Sequence, residues 1–179
     1  MIYLVRHGEA AASWGDHPNP GLSELGQDQA IAVAQQLATK DIKHVVSSPM
    51  QRCRETAAPF EALFGKEAYV EPRVSEVGTP SEVEDRVSWL QKIMAGQWTG
   101  AGDDLLAWRT QLVECIKAMP SGSVVFTHFV AINAIVSALE GRDEVLLFRP
   151  GHCSVTVIDN SSDECVVVER GGESVTKVL

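Results

Sequence analysis

The sequence lacks a surplus of positive charge. Fifteen Lys and Arg stand against 24 Asp and Glu, for a formal net charge of −9. A surface of that sign excludes generic nucleic-acid binding, which needs a broad basic face to displace counterions, but it leaves room for a compact cationic pocket. Cysteine is scarce as well. Cys53, Cys115, Cys153 and Cys165 are widely separated and form no C-x-x-C pair, which removes disulfide frameworks and zinc ribbons and leaves four small hydrophobes as the reading. No apolar stretch approaches the roughly 18 to 20 residues needed to span a bilayer, and no basic segment or hydrophobic h-region precedes Ile2, so the expectation is a cytoplasmic protein with no membrane partner. No P-loop, HExxH, EF-hand or dinucleotide fingerprint occurs, and no metal or other cofactor is implied. Internal repeats, biased tracts and linker-like stretches are also absent. At 179 residues, with 45% apolar and 22% charged residues, the chain is read as one domain over 1–179.

What is present is an alternation of strand-like and helix-like patterns. Such alternation marks βαβ units and a three-layer α/β/α sandwich, with a doubly wound, mostly parallel sheet. Ile2 to Val5, Val45-Val46 and Val124 to Phe126 read as buried strands. Ser23 is placed to cap a helix running to about Thr39, with Ala30, Val33, Ala34 and Leu37 at helical spacing. Ser48, with Pro49 and Gln51 behind it, has the pattern of a second helix start. A short strand near Tyr69 to Glu71 and helices around Glu82 to Ala95, Asp104 to Ala118 and Val130 to Leu139 follow. Strands near Cys153 to Ile158 and Cys165 to Glu169, joined by Asn160-Ser161-Ser162-Asp163, form an antiparallel edge. Asn160-Ser161-Ser162 matches a glycosylation acceptor but reads as this hairpin turn.

Each of the first three strands ends in a cation or an imidazole: Arg6-His7, Ser48 through Arg52, and Thr127-His128. Parallel strands share a carboxyl edge where open α/β sheets bind ligands, so two arginines and two histidines distant in sequence converge on one pocket. Guanidinium forks suit a phosphate dianion. Neighbouring guanidinium charge disfavours the protonated imidazole, so His7 is the candidate nucleophile for phosphorus, and a carboxyl group near the dianion is the candidate acid and base.

These motifs resemble those of the histidine phosphatase superfamily, also called phosphoglycerate-mutase-like. Arg6-His7-Gly8-Glu9, Leu22-Ser23-Glu24-Leu25-Gly26-Gln27 with Gln29-Ala30, the run Ser47 to Ala57, and Val125 to His128 occur in the family's order and cover essentially the whole chain. The resemblance implies a phosphoric monoester hydrolase of the histidine acid phosphatase type, working without a cofactor. It makes His7 the phosphorylated residue, Arg6, Arg52 and His128 the phosphoryl-binding groups, and Glu76 the proton donor, with Glu82 and Glu84 as alternatives. Partners would be a small phosphorylated substrate or a phosphoprotein. Mutase-type members usually carry Thr or Ser three positions after the nucleophile and Asn six after it, whereas this chain has Ala10 and Ser13, which disfavours a sugar-phosphate mutase. Two other functions stay open: a protein phosphohistidine phosphatase, and a phosphoryl-binding module without catalysis.

Other residues have plainer readings. Arg54 lies about 200° around the helix from Arg52 and is expected to pair with Glu55 or Glu61. Glu9 is read as orienting an arginine. His17, His44 and His152 carry no motif and default to surface or structural roles. Phe129 is expected to pack rather than narrow the pocket, and Trp14, Trp89, Trp98 and Trp108 are open between core and cleft.

Overall fold

The computed structural model describes residues 1–12, 17–162 and 164–174. Its strands are β1 (Ile2–Arg6), β2 (His44–Ser47), β3 (Tyr69–Val70), β4 (Ser123–Thr127), β5 (Val155–Asp159) and β6 (Val166–Glu169). Its helices are α1 (Glu24–Leu37), α2 (Gln51–Phe64), α3 (Arg86–Met94), α4 (Asp103–Lys117) and α5 (Phe129–Leu139). One sheet has the order β3-β2-β4-β1-β5-β6. The first four strands in that order run parallel. β5 is antiparallel to β1 and β6 antiparallel to β5, so the expected antiparallel edge is the β5–β6 pair. Among the described residues, no helix is long and apolar enough to cross a membrane.

Side-chain alternation along the strands divides the core into two layers. Ile2, Leu4, Val46 and Val125 pack against α3, α4 and α5. Val5, Val45, Val124 and Phe126 pack against α1 and α2. β4 is buried along its length, and the run from Phe129 to Ser137 in α5 is buried as well. These central elements therefore read as continuous apolar segments. Trp98 is 1% exposed and donates its indole N–H to Ser137 Oγ at 2.9 Å, while Trp89 and Trp108 pack on the same core. These tryptophans are core residues; Trp14 lies outside the described residues. All four cysteines are free thiols.

Helix starts follow local capping chemistry. Ser23 caps α1 by accepting from Gly26 N at 3.0 Å, as its position predicts. Ser48 does not cap α2. That helix begins at Gln51 with Met50 as its boundary residue, and Asn19 Oδ1 from the preceding loop accepts from Gln51 N at 2.8 Å. Ser48 is drawn inward instead, as described below. The helix expected from Glu82 starts only at Arg86, because residues 80–83 form a turn closed by Val83 N to Pro80 O at 3.1 Å and Asp85 supplies the cap, accepting from Ser88 N at 3.0 Å.

The turn after β1 is held against the start of α1 by two glycines. A β-carbon on Gly8 would stand 2.6 Å from Gly26 O, and one on Gly26 would stand 2.1 Å from Glu9 O. Both neighbours are backbone, so no side-chain rotation relieves the contact. Gly26→Ala is therefore expected to cost about 1–3 kcal/mol, in the range of overpacking, and to lower the melting temperature by several degrees. A melt unchanged from wild type would show that the turn yields.

Candidate active site

Strand register brings the motif residues together. Arg6 stands opposite Thr127, and Ser47 opposite Phe126. One residue further on, His7 N donates to Thr127 O and Ser48 N to Phe126 O, both at 3.0 Å. His7 and His128 therefore emerge side by side at neighbouring strand ends, with ring centroids 5.4 Å apart in an edge-to-face arrangement. Arg52 enters from the first turn of α2. Arg6, His7, Arg52 and His128 are all buried, at 9% exposure or less.

The hydrogen bonds assign the tautomers. His7 Nδ1 lies 2.8 Å from Gly8 O. A carbonyl only accepts, so Nδ1 carries the proton and Nε2 keeps its lone pair. Arg52 Nη2 lies 3.1 Å from His128 Nδ1. Arginine only donates, so here Nδ1 accepts and the proton sits on Nε2, which donates to Ser48 Oγ at 2.8 Å. The same Ser48 Oγ accepts from Met50 N at 3.3 Å, so it sits between the His128 ring and the residue that precedes α2. Cys53 Sγ, 3.4 Å from His128 Nε2, packs beneath the same ring.

Both imidazoles are held well below the ordinary histidine range. For His7 the cause is burial first, then His128, Arg52 and Arg6; for His128 it is burial, then Arg52 and Arg6. Arg52 Nη1 is buried with no hydrogen-bond partner among the described residues. A buried guanidinium with an unsatisfied donor at a helix N-terminus is a costly arrangement that an anion would relieve.

Glu76 faces the site from a different direction. Its Oε2 accepts from Val130 N and its Oε1 from Ala131 N, both at 3.0 Å, with Val77 N at 3.1 Å from Oε1. The carboxyl thus caps α5, the helix that follows His128. Burial raises its pKa, against the opposing pull of these N–H groups and of Arg52. Glu82 and Glu84 are exposed, so neither shares this setting.

Several residues lie elsewhere than expected. Arg54 turns away to Glu61 at 3.2 Å, as its helical phase predicts. The Glu9 carboxylate accepts from Ser23 Oγ at 2.8 Å and so serves the start of α1 rather than an arginine. Phe129 packs: it is 2% exposed, with the Arg6 guanidinium 5.0 Å from its ring centre. His152 belongs to the site. Its Nε2 lies 2.9 Å from Arg6 Nη2, and its ring is 6.0 Å from that of His7. No motif marks it, but an antiparallel strand begins at the edge where parallel strands end, and β5 begins three residues after His152. Among the described residues, no group of His, Cys, Asp and Glu is arranged to hold a metal ion.

The site has a consequence for stability. His7 and His128 have folded pKa values below the unfolded value of about 6.5, so below that pH the unfolded chain takes up protons that the folded chain refuses. Each group then removes about 1.4 kcal/mol of stability per pH unit until its folded pKa is reached. Glu76, raised in the fold, acts oppositely and loses its contribution as pH rises. The urea midpoint is expected to fall between pH 6.5 and 5, and to fall less steeply in a His7→Asn variant. A midpoint flat across that interval would contradict the assigned burial of the two rings.

Fold and site together define an α/β protein with buried imidazoles and guanidiniums at the carboxyl ends of its parallel strands. A family model for the histidine phosphatase superfamily (branch 1) matches residues 2–171. The chain belongs to that superfamily. It is 29% identical over 182 residues to a protein of Photorhabdus laumondii named as a probable phosphoglycerate mutase GpmB, covering 89% of this chain and 84% of that one. It is 40% identical over 160 residues to Rv0525 of Mycobacterium tuberculosis, covering 79% of each. Among solved structures, YhfR of Bacillus stearothermophilus matches with a TM-score of 0.77 at 18% identity, covering 97% of both chains. Phosphoserine phosphatase of Entamoeba histolytica matches with a TM-score of 0.75 at 18% identity, again covering 97% of both chains. At these identities, the structural matches establish the fold alone.

Proposed function

We propose that the protein is a cofactor-independent phosphatase that hydrolyses phosphomonoesters through a phosphohistidine on His7, with Glu76 as proton donor. The observation that carries this reading is the bond from His7 Nδ1–H to Gly8 O, which leaves Nε2 as a neutral nucleophile inside a cluster of guanidiniums. Arg6 and Arg52 would neutralise the equatorial oxygens of the phosphoryl group. A dianion competes with His128 Nδ1 for Arg52 and favours the imidazolium form, which then donates from both ring nitrogens, so phosphate binding would be accompanied by proton uptake.

In the first step, His7 Nε2 attacks phosphorus and the ester P–O bond breaks. The departing alkoxide takes the proton from the Glu76 carboxyl. In the second step, the Glu76 carboxylate takes a proton from water, the oxygen of that water attacks phosphorus, and the P–N bond returns its electrons to His7. Orthophosphate leaves with Glu76 protonated and His7 neutral, as at the start.

A hydrolase is favoured over a mutase by Ala10, which stands where mutase-type members usually carry Thr or Ser. The substrate would be a small phosphorylated molecule or a phosphoprotein in the cytoplasm, without nucleic-acid or membrane partners. Incubation with an aryl phosphate in the presence of a chelator tests the reading. Orthophosphate release is the expected result; a folded protein that turns over no phosphoester or phosphoprotein would overturn it and leave a phosphoryl-binding module.

A further inference from the structure

His152 is absent from every motif that led to the site, yet it touches the site's most buried cation. Arg6 Nη2 reaches His152 Nε2 at 2.9 Å, and Arg6 Nη1 donates to Pro150 O at 2.8 Å. One short turn therefore engages both terminal nitrogens of the guanidinium. On the face of that guanidinium, the Phe129 ring centre lies 5.0 Å from Arg6 Cζ.

The turn is anchored on both sides. Cys153 N donates to Arg6 O at 3.0 Å, Arg6 N donates to Ser154 O at 3.2 Å, and Gly151 N donates to Gly172 O at 2.8 Å. Cys153 adopts φ of 54, a left-handed conformation that a β-carbon disfavours and that surrounding structure must hold in place. His152 is therefore presented to Arg6 by a constrained backbone.

We propose that His152 is a positioning residue: its neutral imidazole accepts from Arg6 and fixes the guanidinium plane beside His7 for binding a phosphoryl group. The inference rests on the reading of this site as a phosphate pocket. Arginine only donates, so the contact requires an unprotonated Nε2, with the ring proton on Nδ1. The charged and titratable groups facing the ring are Arg6, Glu9 and His7. Burial and then Arg6 push its pKa down to about 4 against the smaller opposing pull of Glu9, so the ring is neutral at physiological pH. A guanidinium held at its outer edge meets phosphate oxygens without first surrendering rotational freedom.

The test is orthophosphate affinity, by calorimetry on the full chain, together with KM and kcat on an aryl phosphate, for three variants. In His152→Gln the amide oxygen reaches close to the position of Nε2; His152→Leu fills a similar volume with no acceptor; His152→Ala supplies neither. His152→Ala and His152→Leu are expected to weaken orthophosphate binding about tenfold or more, with the loss mainly in KM, while His152→Gln stays within about threefold of wild type. A purely space-filling role would spare Leu as well as Gln, and that pair decides the question if the alanine variant folds poorly. Equal affinity in all variants, or Gln as impaired as Leu, overturns the proposal. If the wild type itself neither binds orthophosphate nor hydrolyses the ester, the phosphate reading falls, and this inference with it.

Discussion

His7→Ala is expected to lower turnover of an aryl phosphate by about four orders of magnitude or more, because the proposed two-step displacement loses its nucleophile and the lone pairs of the neighbouring imidazoles, His128 and His152, are taken up by Arg52 and Arg6. The protein should remain folded. The imidazole is neutral and hydrogen-bonds to Gly8 O, a carbonyl of the adjacent residue, so its loss breaks no long-range link. Below about pH 6.5 the variant should lose stability more slowly than wild type, since a ring that resists protonation in the fold has been removed. Activity kinetics and a urea titration at two pH values check both halves. Substantial residual hydrolysis by the folded variant would mean that water attacks phosphorus directly.

The second large effect is expected at Glu76, where chemistry and structure must be separated. Both carboxylate oxygens accept backbone N–H groups, and an amide nitrogen cannot. Glu76→Gln should therefore cost about 1–3 kcal/mol of stability for the donor left unpaired. It should also lower turnover of an alkyl phosphate by roughly 100- to 10,000-fold, the usual worth of a general acid. An aryl phosphate, whose leaving group departs with little help, should suffer much less. Phosphohistidine should resemble the aryl ester, and near-normal activity on it alone would favour a phosphohistidine protein as the natural substrate. Equal losses on alkyl and aryl esters would reduce Glu76 to a helix cap.

The central part of this site is legible in the sequence because it sits on parallel strands. Arg6, His7 and His128 each follow a short apolar run, and parallel strands bring their ends to one edge, where the register sets Arg6 opposite Thr127. Arg52 and Arg54 were separable by helical phase alone. The misreadings came from residues whose local preference yielded to a distant partner. Ser48 has the pattern of an N-cap, but its hydroxyl meets His128, 80 positions along the chain. Glu9 lies three positions after Arg6 in sequence, yet Ser23 is the group that reaches it. His152 joined the site through an antiparallel strand, whose beginning rather than end falls at the active edge. Reading only strand ends hides such a residue.

The most direct test of the account is the chemical identity of the intermediate. The protein should be mixed with an aryl phosphate, quenched in alkaline denaturant, where a P–N bond survives, and its peptides analysed by mass spectrometry. The account predicts one phosphoryl group, on His7, appearing before steady state and absent from His7→Ala. A phosphoryl group on any other residue, or rapid turnover with inversion of configuration at phosphorus and no labelled peptide, would contradict it.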